Sequence, residues 1–390
     1  MVCPPKWRNF IYTLFIFSLS IRPFFSLAGL SIPPSYVLAP VVLAVLAGDF
    51  SVKKKHLYIL VLLFSFFIFQ SFTIIWSYDQ AASIKYSFHI PFLMTIAIIA
   101  ASMFRDIERI KDFLCHFLYI FAIISVIMFA GHLYVAIMSY GSEGDFVLFS
   151  LVEKGIYRYV GLNSDPNFEG FFILLFIGAC LWIKPRFYFA IFIFLSMTLI
   201  ATLSRSAIGT YLLCLFIWSV YRKKLIYLAL MTSGIVFVYT LRDSSIYVER
   251  RLSGIDSGAG RLALWHDSIH MFNNSPVFGN GLGSYLYMLH SSGQGTHFVH
   301  NTFISVAISS GIIGLTLFLI PFFVIIIKYK FLILTNPLSL FVLFSILGTS
   351  LTLSAFINPF LYFSISLLAC SCGSGVFLSK HGSCLESRYS

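Results

Sequence analysis

Residues 302–327 read TFISVAISSGIIGLTLFLIPFFVIII, a run without one charged side chain. As a helix rising about 1.5 Å per residue, the run exceeds the ~30 Å thickness of bilayer hydrocarbon. Working outward, comparable apolar stretches recur from Phe10 to Phe377, and short turns separate most of them. No alternating ten-residue pattern marks a transmembrane barrel. The whole chain of 390 residues is 59% hydrophobic and only 11% charged, with a mean hydropathy of +0.91. A soluble domain needs roughly a quarter of its residues charged, so that class is excluded. The expected fold is all-α: a single polytopic transmembrane domain over residues 1–390, with about twelve helices.

The spans fall near 10–30, 33–50, 57–76, 84–103, 113–138, 167–183, 187–204, 206–221, 225–241, 302–327, 332–352 and 356–378. With both termini inside, the inner segments hold 17 of the 26 basic residues, including Lys53, Lys54, Lys55, Arg105, Arg222 and Lys328. Counting acids as well leaves about +12 inside and −1 outside, against a total of +11. The Lys/Arg bias sets orientation, and it agrees at every inward turn. The basic balance therefore reflects membrane topology and implies no nucleic-acid partner. Ser26-Leu27-Ala28 has the form of a signal-peptidase site, but the stretch is long and runs into another span, so it is read as retained. None of the seven cysteines lies in an outer loop, so disulfides are not expected there; Cys370 and Cys372 read as small buried residues.

Two outer segments break the rhythm, 139–167 and 242–301. Long ordered loops usually carry function, which places it on the outer face. Within the second, Leu262, Trp265, Ile269 and Phe272 fall at helical spacing and predict a short amphipathic helix over 260–273. Gly279, Gly281 and Gly283 follow; no strand precedes them, so a tight turn is expected and not a phosphate cradle. Arg205 sits at the outer junction between two spans, and Arg158 and Arg261 lie in the two outer loops. Arginine this close to hydrocarbon normally has a partner or a ligand, and its planar fork suits phosphate oxygens. His266, His270, His290, His297 and His300 are half of the chain's ten histidines. Any one of them is either solvated or a proton acceptor for an attacking hydroxyl. His266 and His270 stand one turn apart, but Asp267 replaces the usual glutamate and no third ligand is evident, so no metal is expected. Asp165 with Pro166 reads as a helix cap, while Asn163 and Asn167 suit either that turn or sugar hydroxyls.

Arg158-Tyr-Val-Gly-Leu-Asn-Ser-Asp-Pro-Asn167, Leu203-Ser-Arg-Ser206, Gly260-Arg-Leu-Ala-Leu-Trp265 and Pro276-Val-Phe-Gly-Asn-Gly-Leu-Gly283 occur in that order. His300-Asn301 and Gly311-Ile-Ile-Gly314 complete the set. Together they resemble the O-antigen ligase and O-antigen polymerase superfamily of bacterial envelope glycosyltransferases, over about 156–320. The resemblance implies a GT-C-type enzyme of the inner membrane, working at the periplasmic face without cofactor or metal. Its donor would be a glycan on undecaprenyl diphosphate. Arg205 and Arg261 would hold the diphosphate, and His300 would orient or deprotonate the acceptor hydroxyl. Arg158, Asn163, Asp165, Asn167, Trp265 and Asn301 would help bind substrate. The acceptor is a lipid-linked repeat unit for a polymerase, the reading adopted, or lipid A–core for a ligase. Membrane lipids and a chain-length regulator are further expected partners. A transporter or flippase for lipid-linked sugars is the rival class, though few ionisable residues lie deep in the spans and no repeat is visible. A vesicle assay separates them: the enzyme forms new glycosidic bonds, whereas flipping without bond formation would support the rival.

Overall fold

The computed structural model describes residues 5–21, 26–27, 30–47, 50–105, 107–153, 155–163, 165–223, 261–285 and 299–373. The expected span at 225–241, His290, His297 and the side chains of Arg261 and Leu262 lie outside the described residues. The helices are α1 (Pro5–Ser20), α2 (Pro34–Leu46), α3 (Lys54–Phe72), α4 (Gln80–Ser87), α5 (His89–Met103) and α6 (Ile107–Met138). After them come α7 (Pro166–Ile183), α8 (Tyr188–Ala201), α9 (Arg205–Arg222), α10 (Arg261–Asn274), α11 (Thr302–Thr335), α12 (Pro337–Thr352) and α13 (Pro359–Gly373). Among the described residues, five helical stretches are long and apolar enough to cross a membrane: His56–Trp76, Gln80–Met103, Ile110–Met138, Pro166–Ile183 and Thr302–Thr335.

Two β elements add to the all-α expectation. The first expected span is shorter than drawn: α1 stops at Ser20, and a hairpin pairs β1 (Ser26–Leu27) with β2 (Leu30–Ser31). The outer segment 139–167 holds an antiparallel sheet of β3 (Phe146–Val147), β4 (Ser150–Glu153) and β5 (Ile156–Tyr159), in that order. The run at 302 continues as a helix to Thr335, and Asn336 with Pro337 ends it by opening α12. The Asn336 side chain accepts from the Leu338 N–H at 3.0 Å.

Small residues let the helices approach closely, as in other membrane bundles. A Cβ at Gly178 of α7 would stand 2.5 Å from the Phe341 Cβ of α12, and one at Gly170 would stand 2.6 Å from the Ala207 Cβ of α9. Ser345 of α12 donates to the Phe171 carbonyl of α7 at 2.9 Å. At one end of the bundle cations gather. Arg105 donates to Ser51, Arg222 to the Thr335 carbonyl at 2.8 Å, and Lys328 lies over the Tyr58 ring. The opposite end collects the starts of α7, α9 and α11 and the end of α12.

The long helix α11 breaks at Gly311, where φ is 63° and ψ is −165°. The segment Pro276–Gly283 fills the break. Its Asn280 and Gly281 N–H groups donate to the Ile308 and Ser309 carbonyls at 2.8 and 3.0 Å. Its Pro276 and Val277 carbonyls accept from the Ile312 and Ile313 N–H groups at 2.9 and 3.4 Å. The expected tight turn is therefore a turn-rich segment with left-handed φ at Gly279, Gly281 and Gly283, and its backbone completes a helix inside the bundle. The same segment is tied to the α3–α4 junction: the Leu282 N–H donates to the Thr73 hydroxyl at 3.1 Å, and Ser83 donates to the Leu282 carbonyl.

A Cβ at Gly311 would meet the Val277 carbonyl oxygen at 2.2 Å, whereas one at Gly209 would meet nothing within 4 Å. Gly311→Ala should therefore cost at least about 2 kcal/mol, and Gly209→Ala should be neutral or gain up to about 1 kcal/mol. Thermal unfolding in detergent measures both; an unchanged midpoint for Gly311→Ala would contradict the account of the kink.

Candidate functional site

Helix α7 starts as its sequence requires. Asp165 accepts from the Asn167 N–H at 2.7 Å, Pro166 takes the first helical position, and the Asn163 side chain accepts from the Asp165 N–H at 3.2 Å. The second contact of Asp165, from the Asn167 side-chain amide at 2.8 Å, fixes which way that amide points. The Asn167 oxygen is left to accept from Ser204 at 2.9 Å and from Arg158 at 3.4 Å. Arg158 comes from β5. Its guanidinium also donates to the Thr202 carbonyl at 3.0 Å and pairs with Glu153 of β4 at 2.5 Å. The side chain is only 4% exposed, so its charge is held within the protein. Nearby Tyr159 is buried as well; burial, then the charge of Glu169, pushes its phenol well above the usual tyrosine range.

Thr202 and Ser204 flank Leu203, whose φ is 50°. A non-glycine residue there is uncommon, and the turn is held on both sides. The Ser204 N–H donates to the Thr202 hydroxyl at 3.2 Å, and the Ser204 hydroxyl caps α9 by accepting from the Ala207 N–H. Arg205 follows as the first residue of α9 and is exposed. Among the described residues no carboxylate pairs with it. Its backbone is therefore fixed and its guanidinium is available, at the end of the bundle opposite the cationic cluster.

His300 also has a left-handed backbone, with φ at 52°. Asn301 caps α11 by accepting from the Ile304 N–H at 3.1 Å, and it donates to the Leu351 carbonyl at 3.4 Å. Thr302 donates to the Leu353 carbonyl at 2.7 Å and accepts from the Ala355 N–H at 2.8 Å. Ser305 bonds Ser354 at 3.0 Å. The start of α11 is thus sewn to the α12–α13 connection. On the other side, the Trp265 indole of α10 donates to the Val299 carbonyl at 2.9 Å, so the residue before His300 is held too. A cavity of about 40 Å³ opens beside Ser305, lined by Tyr86, Tyr285, Ser309, Ser354 and Phe356 among others. Burial, with the charge of Asp267 adding, raises the Tyr285 phenol, and Ser268 opposes the shift.

The amphipathic face of α10 differs in part from expectation. Trp265, Met271 and Phe272 pack with Val299, Ile304 and Ile308, but Ile269 is exposed and Ser268 takes the inward position. The serine satisfies itself by donating to the Leu264 carbonyl. His266 and His270 face outward with ring centroids 4.7 Å apart. Among the described residues no group of three or more His, Cys, Asp or Glu is placed to hold a metal.

The structure therefore assembles the sequence-nominated residues into two groups. Arg158, Asn163, Asp165 and Asn167 gather with the turn that carries Arg205. Trp265 and Asn301 gather around His300. Helix α12 bridges them: its last turns reach Asn301, and a Cβ at its Gly348 would lie 2.8 Å from the Thr210 hydroxyl of α9. The backbone of Arg261 opens α10. Nothing in the sequence pattern marks Glu153, Thr202, Thr302 or the buried Glu169, which accepts from Ser20 at 2.9 Å. Glu153 and Arg158 are five residues apart across a hairpin, a pattern visible only once the strand register is known.

Helices of this length and apolarity are those of a multi-pass membrane protein. Residues 190–319 match the family model described as O-antigen ligase. The match supports the O-antigen ligase and polymerase superfamily for this chain. It spans about a third of the sequence and takes in Arg205, Arg261, Trp265, His300 and Asn301, while Arg158 to Asn167 precede it. No curated protein matches the chain.

Trp265→Phe keeps an aromatic ring in the apolar cluster and removes the donor to Val299, a loss of about 1 kcal/mol. Hydrogen exchange should accelerate over 299–304 and stay unchanged in α7. Equal protection in both proteins would mean that Trp265 does not hold His300.

Proposed function

We propose that this chain is a glycosyltransferase of a bacterial inner membrane, acting on a glycan carried by undecaprenyl diphosphate. The observation that carries this reading is Arg205: a guanidinium with no paired carboxylate among the described residues, on a rigid turn, at the end of the bundle away from the cationic cluster. Under the positive-inside rule the cationic end is cytoplasmic, so Arg205 faces the periplasm at the depth of a lipid headgroup. About twelve spans and a GT-C-type arrangement belong to this reading.

The acceptor hydroxyl oxygen attacks the anomeric carbon, and the bond from that carbon to the diphosphate oxygen breaks. His300 takes the hydroxyl proton. The diphosphate leaves with the bonding electron pair, and Arg205 with Arg261 stabilises the negative charge it gains. Preorganised donors aimed at developing charge usually supply the largest catalytic term, and here they substitute for a divalent metal. Asn163, at the α7 start that gathers with the Arg205 turn, and Asn301, beside His300, would help line the substrate channel.

For the acceptor we favour a second lipid-linked repeat unit, which makes the enzyme an O-antigen polymerase. Both outer segments, the sheet β3–β5 and helix α10, are built into the same end of the bundle, which suits two lipid-linked substrates. Transfer to lipid A–core, the ligase reaction, is the second reading; the description of the matching family model favours it. A chain-length regulator is a proposed partner of the polymerase.

Arg205→Ala, Arg261→Ala and His300→Ala should each lower product at least about a hundredfold while the protein still inserts. Wild-type glycan in all three would sink the proposal. After deletion of the protein, a lipopolysaccharide gel decides the acceptor. A single repeat on core marks a lost polymerase; bare core with lipid-linked polymer accumulating marks a lost ligase.

A further inference from the structure

We infer that Glu153, Arg158 and Asn167 are positioning residues that hold the Arg205 turn, forming a strut centred on the buried Arg158 between the outer sheet and the start of α9. The inference deepens the proposed function, because it rests on Arg205 as the diphosphate ligand.

The bonds of the strut have clear directions. Glu153 receives one arm of the Arg158 fork, and Asn167 receives another at 3.4 Å. The Arg158 Nε–H donates to the Thr202 carbonyl at 3.0 Å. That carbonyl lies immediately before Leu203, the residue with left-handed φ. The Asn167 oxygen meets the Ser204 hydroxyl at 2.9 Å on the far side of Leu203. The strained residue is thus gripped from both flanks, and Arg205 follows two positions later. Asp165 completes the arrangement by holding the Asn167 amide nitrogen at 2.8 Å, which leaves the oxygen facing the turn.

The chemistry explains the residue types. Only a planar fork reaches a carbonyl, an amide and a carboxylate from one side chain. A buried guanidinium needs a carboxylate partner to be tolerated, and Glu153 supplies it. A side chain so committed has little capacity left for a substrate phosphate. Arg158 therefore acts through Arg205 and does not bind the donor beside it. The division of labour is one buried arginine paired within the protein and one exposed arginine open to ligand.

The test measures the turn and the reaction separately, on full-length protein in nanodiscs. Glu153→Gln, Arg158→Lys and Asn167→Ala should each speed hydrogen exchange over 202–207 without changing it in α12. With a lipid-diphosphate-linked glycan as donor, kcat should fall about tenfold while KM for the donor stays within about threefold. Ser204→Ala removes the bond to Asn167 and the cap on α9 while leaving the Arg158–Glu153 pair in place, which guards against a variant that fails to fold; it should move both readouts the same way. Unchanged exchange with a raised donor KM would make these residues donor contacts and overturn the inference. Faster exchange with unchanged kcat would overturn it equally, since order at the turn would then not matter. If wild-type protein transfers no glycan, the proposed function fails, and the exchange data still decide whether the strut holds the turn.

Discussion

Inside a bilayer a backbone amide that leaves a helix has no water to turn to. That constraint governs three irregular points among the described residues. At Gly311 the segment Pro276–Gly283 supplies both the donors and the acceptors that α11 gives up. At Leu203 the Thr202 carbonyl is met by Arg158. At the start of α11, Asn301 and Thr302 meet the Leu351 and Leu353 carbonyls at the end of α12. Each break is compensated by a segment distant in sequence, so the breaks tie the bundle together at one end.

The candidate site follows from this. A strand, a capped helix start and a strained turn are held in fixed relation to satisfy one another, and their joint product is an arginine whose backbone cannot wander. A second set, through Trp265 and the α12–α13 connection, does the same for His300. Transition-state stabilisation by charge needs donors placed before the reaction begins. A membrane enzyme obtains that rigidity from the same bonds that keep its backbone out of contact with lipid.

Much of the fold could be read from the sequence because hydropathy over eighteen or more residues is a strong signal. The spans containing α3, α6, α7 and α11 are examples, and the cap at Asp165 follows from local chemistry alone. The sheet β3–β5 was not legible: its strands are two to four residues long, too short for alternation to stand out. Helical spacing assigns Ile269 to the inward face of α10, yet Ser268 and Met271 take it, because a serine that bonds its own helix can occupy an inward position that apolarity assigns to a larger residue. Among the site residues, Arg205 and His300 stood out as polar groups at span ends. The role of Arg158 did not, because it depends on Glu153, Thr202 and Asn167 meeting in space.

The central claim is that the end of the bundle bearing Arg205 receives a lipid diphosphate. Its most direct test is photo-crosslinking of a lipid-diphosphate-linked glycan to a photoreactive residue placed at Ser206, with a second placed at Ser51 beside Arg105. The account predicts crosslinking at 206, competed away by unlabelled lipid diphosphate, and none at 51. Capture at 51 with none at 206 would contradict it.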